Sequence, residues 1–433
     1  MEALLRRALD LVLRVSSEAA DRPPMPTDAT PPGRPGIPDR PDDEDGIFAD
    51  LEALALRSMN AAHPGYVGHM DPLPSTMSIV GELMAAALNN NLLSVELSPA
   101  LTRLETGLAR SFAERFGLGS RSGGMMTAGG TLGNLHALAV ARNLRFGSHG
   151  DGVVGLESRP VIFASEAVHK SVHKSAMLLG LGTSAVRAVA TGTDGRMDPE
   201  DLRRTIGEAR ERGQQPFCLF GIAGSTITGS IDPLPRLADA ARENDLWFHV
   251  DAAYGGALVL SERRRARLEG IERADSILFN PQKWMYVSKT CAMVLFRDLE
   301  RAHGALRIGK PYFSVDPEAV NLGEIGIQGT RHADVLKLWL SLRHLGATGY
   351  AEVIEAGFRT AERLVGEVER RPFLRLASRP DTNIVCFRGE PEWIPRVPGT
   401  AGTPASGRTC SSEPVSSSRC PGFVAARGCA PSC

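Results

Sequence analysis

The chain carries almost no net charge, with 49 Lys and Arg against 50 Asp and Glu leaving −1 over 433 residues. So even a balance offers no basic face for nucleic acid. Long apolar runs are missing too, and none is long enough to span a bilayer. Met1 to Val15 alternates apolar residues with Arg6, Arg7 and Arg14 at helical spacing and has no signal-peptide cleavage pattern. A cytoplasmic protein without membrane or nucleic-acid partners is the expectation. Cysteine is sparse until the end. Cys218, Cys291 and Cys386 lie scattered in apolar runs and read as reduced core residues, whereas Cys410, Cys420, Cys429 and Cys433 crowd the last segment. Two motifs are also absent. No Gly-Lys-Ser/Thr follows the glycines around Gly130, which excludes a nucleotide P-loop. His169 and His173 sit four apart, the spacing of a shared helix face, but lack the Glu of an H-E-x-x-H site and a third ligand, so no metal is expected.

What is present centres on Trp247 to Tyr286. It opens with W-F-H-V-D-A-A-Y-G-G and closes with I-L-F-N-P-Q-K-W-M-Y. Leu246 to Val250 reads as a buried strand that delivers Asp251 at its carboxyl end, where ligands sit in open α/β sheets. Ile277 to Phe279 is a second short strand, followed by Asn280, Pro281, Gln282 and Lys283. An acid after one strand and a lysine after another suit pyridoxal phosphate: the amine holds the aldehyde as a Schiff base and the acid keeps the pyridine nitrogen protonated. The plain alternative is a surface acid and a surface lysine. Gly123 to Asn143 turns from glycines to a Leu- and Ala-rich helical run, and a helix N-terminus suits a phosphate.

With Gly129-Gly130-Thr131, His169 and Asn280 in the same order, the chain resembles the group II pyridoxal-phosphate-dependent amino acid decarboxylases, from about His63 to Trp393. That family includes the aromatic-L-amino-acid, glutamate and 2,4-diaminobutyrate decarboxylases. The resemblance implies an α/β fold of the aminotransferase-like type I, with a mostly parallel central sheet, and a homodimer with sites at the interface. It implies pyridoxal 5'-phosphate held by Gly130, Thr131 and Asn280 at the phosphate. His169 would stack on one ring face, Ala253 would lie on the other, and Asp251 would pair with the ring nitrogen. Lys283 is the implied Schiff-base lysine, and Lys289 the decoy. Thr226 is either a cofactor contact or a turn hydroxyl capping its own backbone.

The same resemblance makes His69, Met70 and Asp71 a substrate loop. It puts Leu93 where aromatic decarboxylases carry an aromatic residue, which argues against a large aromatic substrate. Tyr312 falls in a loop that closes over the substrate and supplies the reprotonating acid, and Thr330 reaches the partner's phosphate. The departures are Leu132 and Gly133 in the family's T-S-G-G-S-E-A-N and Gln282 for the histidine of N-P-H-K-W. The reaction implied is α-decarboxylation of an L-amino acid. An aldehyde-forming oxidative decarboxylase, a transaminase and an inactive pseudoenzyme are the alternatives.

The expected organisation is an N-terminal helix and Pro-rich linker over 1–60, a large cofactor domain over 61–345 and the start of a small C-terminal domain over 346–398. Residues 399–433, rich in Ser, Pro, Gly and Arg, read as an aberrant, disordered tail. Its cysteine spacing fits no zinc pattern. Sliding the reading frame back one nucleotide converts the segment from Val415 onward into an apolar, strand-like string. A small domain that is truncated or frameshifted is therefore expected.

Overall fold

The computed structural model describes residues 1–32, 36–68, 70–308, 320–390 and 424–427. The chain divides into two compact units, Met1–Leu73 and Pro74–Cys433. The first contains α1 (Glu2–Ser17) and α2 (Glu44–Leu56). The arginines on α1 tie it to α2, Arg7 to Asp45 at 2.7 Å and Arg14 to Glu52. Asp43 caps α2 by accepting the Gly46 N–H at 2.7 Å. Within the same unit the buried Asn60 secures the proline-rich stretch, donating from Nδ2 to the Ala19 carbonyl at 2.7 Å.

The second unit is built on a seven-stranded sheet. Its strands are β1 (Gly123–Thr127), β2 (Pro160–Ser165), β3 (Val186–Val189), β4 (Gln215–Ile222), β5 (Trp247–Asp251), β6 (Ser276–Phe279) and β7 (Ala292–Phe296). The spatial order is β1-β7-β6-β5-β4-β2-β3, parallel from β6 to β3, with β7 antiparallel to both neighbours. This is the mostly parallel sheet expected. The strands read as continuous apolar runs because helices cover them; Val161, Ile162, Phe163 and Ala164 are all fully buried. The helices are α3 (Thr76–Leu88), α4 (Pro99–Arg115), α5 (Gly130–Phe146), α6 (Ser171–Leu178), α7 (Pro199–Glu211), α8 (Leu234–Glu243), α9 (Leu299–Leu306), α10 (Leu322–Ile325) and α11 (Val335–Glu369). Leu138 of α5 and Val172 and Ala176 of α6 pack with Ile162 and Phe220 in one core cluster. Ala137 and Val140 of α5 join Met125, Val294 and Phe296 in another. The Leu, Val, Ile, Phe and Met side chains among them each contribute about 1.5–3 kcal/mol when fully buried.

One element differs from the sequence reading. The glycines before Gly130 are not all turn: Gly123 and Gly124 belong to β1, and a Cβ on Gly124 would lie 2.1 Å from the Val294 carbonyl oxygen of β7. Bare backbone is what lets these strands pack. The run α11 is two helical stretches that meet at Gly346, where φ is 64° and the backbone is not helical.

A three-stranded antiparallel sheet follows, β8 (Leu374–Leu376), β9 (Ile384–Gly389) and β10 (Val424–Arg427), in the order β10-β9-β8. The backbone of Val424–Arg427 pairs with Ile384–Phe387. It falls inside the segment read as an aberrant tail, whose other residues lie outside the described ones.

Candidate active site

The sheet brings its carboxyl ends into line. Ile222 of β4 pairs with Asp251 of β5, and Asp251 pairs with Leu278 of β6. A cavity of about 190 Å³ lies there. Asp251 lines it from the end of β5, and Asn280 and Lys283 from the turn after β6. Gly130 and Thr131 contribute the first turn of α5, His169 the segment before α6, and Thr226 and Ala253 the turns after β4 and β5. Eight residues expected to meet the cofactor therefore share one cavity.

The other expected residues are not in it. Leu93 is half-buried, and its carbonyl accepts the Gly323 N–H at 2.9 Å. Thr330 is exposed and does not line this cavity. Met70 and Asp71 belong to the N-terminal unit, while His69 and Tyr312 lie outside the described residues. Lys289 is exposed and also lies off the cavity wall. His169 precedes α6 rather than lying on it, so it shares no helix face with His173.

Hydrogen bonds set the acid. Asp251 is 8 % exposed; its Oδ1 accepts the Ala253 N–H at 3.1 Å and its Oδ2 accepts Asn134 Nδ2 at 2.9 Å. His169 stands at the cavity wall. Burial lowers its pKa, Asp251 opposes that and Lys283 adds to it, so the imidazole is neutral at neutral pH. In the turn after β4 the capping hydroxyl is that of Ser225, which accepts the Thr228 N–H at 3.0 Å, leaving Thr226 on the cavity wall. Gln282 also lines the cavity, and its Oε1 accepts the Cys291 N–H at 2.5 Å. Its side chain thus braces the Lys283 turn against the segment entering β7.

Sequence reasoning missed Asn134, which lines the cavity, and His249, Ser276 and Ser171 behind its wall; they touch Asp251 and His169 directly or through one another. The W-F-H-V-D string contains His249, whose place in a buried strand next to an acid was the available signal. Arg331 was missed as well. It is 5 % exposed and pairs with the fully buried Glu105 at 2.5 Å, donating also to the Met126 carbonyl at 2.8 Å, which ties α4 and β1 to the turn before α11.

The donor set fits pyridoxal phosphate. Asn280 is 4 % exposed, and its Nδ2 faces Gly130 at the first turn of α5, where it is placed to donate to a phosphate. A Cβ on Gly130 would lie 2.7 Å from Asn280 Nδ2, so only glycine leaves this cradle open. The first-turn N–H groups of α5 suit the phosphate, Asp251 the ring nitrogen, and Lys283 the aldehyde. Elsewhere Glu82, His332 and Asp334 converge, but Lys337 Nζ already lies 2.7 Å from both carboxylates. Burial works against that ammonium, and Asp334 and Glu82 outweigh it and hold its pKa above the usual value.

A mostly parallel sheet with an acid and a lysine beyond adjacent strand ends defines an aminotransferase-like enzyme of the pyridoxal-phosphate class. The family model described as the pyridoxal-dependent decarboxylase conserved domain matches residues 26–390. Human cysteine sulfinic acid decarboxylase is 33% identical over 351 residues, covering 79% of this chain and 70% of the relative. The structure of mouse CSAD superposes with a TM-score of 0.82 at 29% identity, covering 90% of this chain and 83% of the other. That of Oryza sativa TDC with PLP and tryptamine gives 0.83 at 26%, with the same coverage, 90% and 83%. The chain belongs to the pyridoxal-dependent decarboxylases: it is an amino acid decarboxylase, a carboxy-lyase that uses pyridoxal 5'-phosphate. Among the described residues no helix is long and apolar enough to cross a membrane.

Proposed function

We propose that Lys283, Asp251 and His169 carry the α-decarboxylation of an L-amino acid to its amine and carbon dioxide. The observation that supports this most is the single cavity gathering an amine, a carboxylate, an imidazole and a helix N-terminus from separate segments. When bound, pyridoxal phosphate supplies an aldehyde for the substrate amine and a ring that accepts the electron pair left by departing carbon dioxide. Lys283 Nζ holds the cofactor until the substrate amine displaces it. Asp251, oriented by the Ala253 and Asn134 donors, holds a proton at the ring nitrogen. With the cofactor bound, His169 and Ala253 would hold the ring between an imidazole and a single methyl. Gly130, Thr131 and Asn280 orient the phosphate, and Thr226 closes the side of the ring. Ile222, Ala167 and Leu278 give the wall its apolar part and limit water at the reacting carbon.

The substrate side is assigned to His69, Met70, Asp71 and Leu93, with Tyr312 returning the proton to the product carbon and Thr330 reaching the partner's phosphate in a homodimer. The dimer reading draws support from α3, which exposes Ile79, Val80, Leu83, Met84 and Leu88. A cytoplasmic location goes with this reading. Leu93 in place of an aromatic residue favours a short substrate side chain, and the cysteine sulfinic acid decarboxylases among the relatives make an acidic one the first to try. Carbon dioxide release and amine formation should be measured over L-cysteine sulfinate, L-glutamate, L-2,4-diaminobutyrate and L-tryptophan. One short acidic substrate should lead by at least about tenfold in kcat/KM. An aldehyde product would replace this reading with oxidative decarboxylation, and equal turnover of tryptophan would remove the assignment of side-chain size.

A further inference from the structure

A chain of polar groups runs from His169 and Asn134 on the cavity wall back to Trp247. Trp247 Nε1 donates to Ser276 Oγ at 2.8 Å, and Ser276 Oγ lies 2.8 Å from His249 Nδ1. His249 Nε2 lies 3.0 Å from Asn134 Oδ1. Asn134 Nδ2 donates at 2.9 Å to both Asp251 Oδ2 and Ser171 Oγ, and Ser171 Oγ lies 2.8 Å from His169 Nδ1. Every middle member is sealed from solvent: His249 and Ser276 are 0% exposed, Asn134 1% and Ser171 3%.

Only one placement of hydrogens satisfies all of these contacts. Ionised Asp251 accepts and cannot donate, so the Asn134 amide nitrogen must face it and Oδ1 must face His249. The reverse orientation would set a carbonyl oxygen against a carboxylate. His249 is neutral, since burial pulls its pKa down to about 4. Facing an acceptor, it carries its hydrogen on Nε2, which leaves Nδ1 bare to accept from Ser276. The Ser276 oxygen in turn accepts from Trp247, which can only donate. At the other end Ser171 Oγ accepts from Asn134 and spends its hydrogen on His169 Nδ1. The Ser171 backbone N–H donates to that same nitrogen at 3.2 Å, so it too is bare.

We propose that Asn134, backed by His249, is a positioning residue that fixes two proton states at once: the ionised Asp251 and the His169 tautomer with its hydrogen on Nε2. The inference rests on the reading that Asp251 and His169 serve the cofactor. It adds that one amide group couples them. With Nδ1 occupied by Ser171, Nε2–H is the donor His169 has left for a negatively charged group. The groups whose charge acts on this ensemble are Asp251, His169 and Lys283 at the cavity and His249 behind it.

Neutron diffraction from perdeuterated crystals of the cofactor-loaded enzyme reads the hydrogens without reference to activity. Deuterium should appear on Nε2 of both His169 and His249 and be absent from both Nδ1 atoms. Deuterium on His169 Nδ1, or on both of its nitrogens at neutral pH, would overturn the proposal even if Lys283 binds the cofactor as described. Ser171→Ala cuts the hydroxyl link from Asn134 to His169 and leaves only the 3.2 Å backbone donor on Nδ1, so deuterium should appear there in part; a map unchanged by this variant would remove Asn134 from control of the His169 tautomer. Asn134→Asp removes both N–H donors in the same shape and adds a like charge beside Asp251. It should move the acid limb of kcat/KM, and the pH midpoint of the bound cofactor's visible absorbance, up by roughly one unit. A folded, cofactor-loaded Asn134→Asp enzyme with both midpoints unmoved would show a merely structural role and defeat the proposal. If that variant does not fold, the neutron map of the native enzyme decides alone.

Discussion

Lys283 and Lys289 sit close in sequence, but only Lys283 lines the cavity. Replacing Lys283 with Ala should lower amine formation by at least about a thousandfold, as loss of a covalent group does, while Lys289→Ala should leave it within about twofold; product assays on both variants settle the contrast. The buried histidines have a measurable effect of their own. In the unfolded chain an imidazole binds its proton near pH 6.5. In the native state burial lowers His249 to about 4 and His136 to about 3. Between pH 6.5 and 4 the unfolded state therefore binds more protons, and stability falls as pH falls. Asp232 works the other way, because burial raises it to about 7 and the native state holds its proton below that. His303, which burial lowers to about 4, joins the other two, and three imidazoles against one carboxyl leave a net loss. The urea midpoint should drop steadily from pH 6.5 to 4, and a midpoint that rises over that window would refute the assignment.

The elements that carry the site were legible because strand ends and chemistry coincide. β5 and β6 were each read to within one residue at either end, since a buried parallel strand must be an unbroken apolar run and must stop at the polar group it presents. α3 was not legible. It is apolar nearly all round, and what it buries is small, Ser78, Gly81 and Ala85, while Leu83 stays 55% exposed. Hydrophobic periodicity looks for large residues facing inward, and here the small ones do. The reason is the close approach of α3 to α11, where a Cβ on Gly81 would lie 2.7 Å from Lys337 Cα and 2.9 Å from its backbone nitrogen. Gly81→Ala should cost about 1–3 kcal/mol in urea unfolding; an unchanged midpoint would mean that the helices separate easily. The polar relay was hidden for a different reason. Asn134, Ser171, His249 and Ser276 come from separate segments, and only tertiary pairing aligns their hydrogen bonds.

The large residues that α3 turns outward are where the assembled molecule should be tested. On the proposed homodimer, the native chain should sediment as a dimer and Leu83→Asp as a monomer that loses cofactor at the same concentrations; a native monomer would remove the dimer proposal, and a variant that stays dimeric would place the interface elsewhere. The C-terminal region shows the limit of reading composition. Residues 399–433 carried no periodicity, but the backbone of Val424–Arg427 pairs with β9, and pairing through backbone groups needs no side-chain pattern. The out-of-frame origin of this segment remains a proposal, which sequencing of the coding region in related genomes tests by the presence or absence of a one-base shift. The most telling measurement is borohydride reduction of the cofactor-loaded enzyme, followed by proteolysis and peptide mapping. The pyridoxyl label should fall on Lys283 alone. Recovery of the label on Lys289, Lys337 or any other amine would contradict the site.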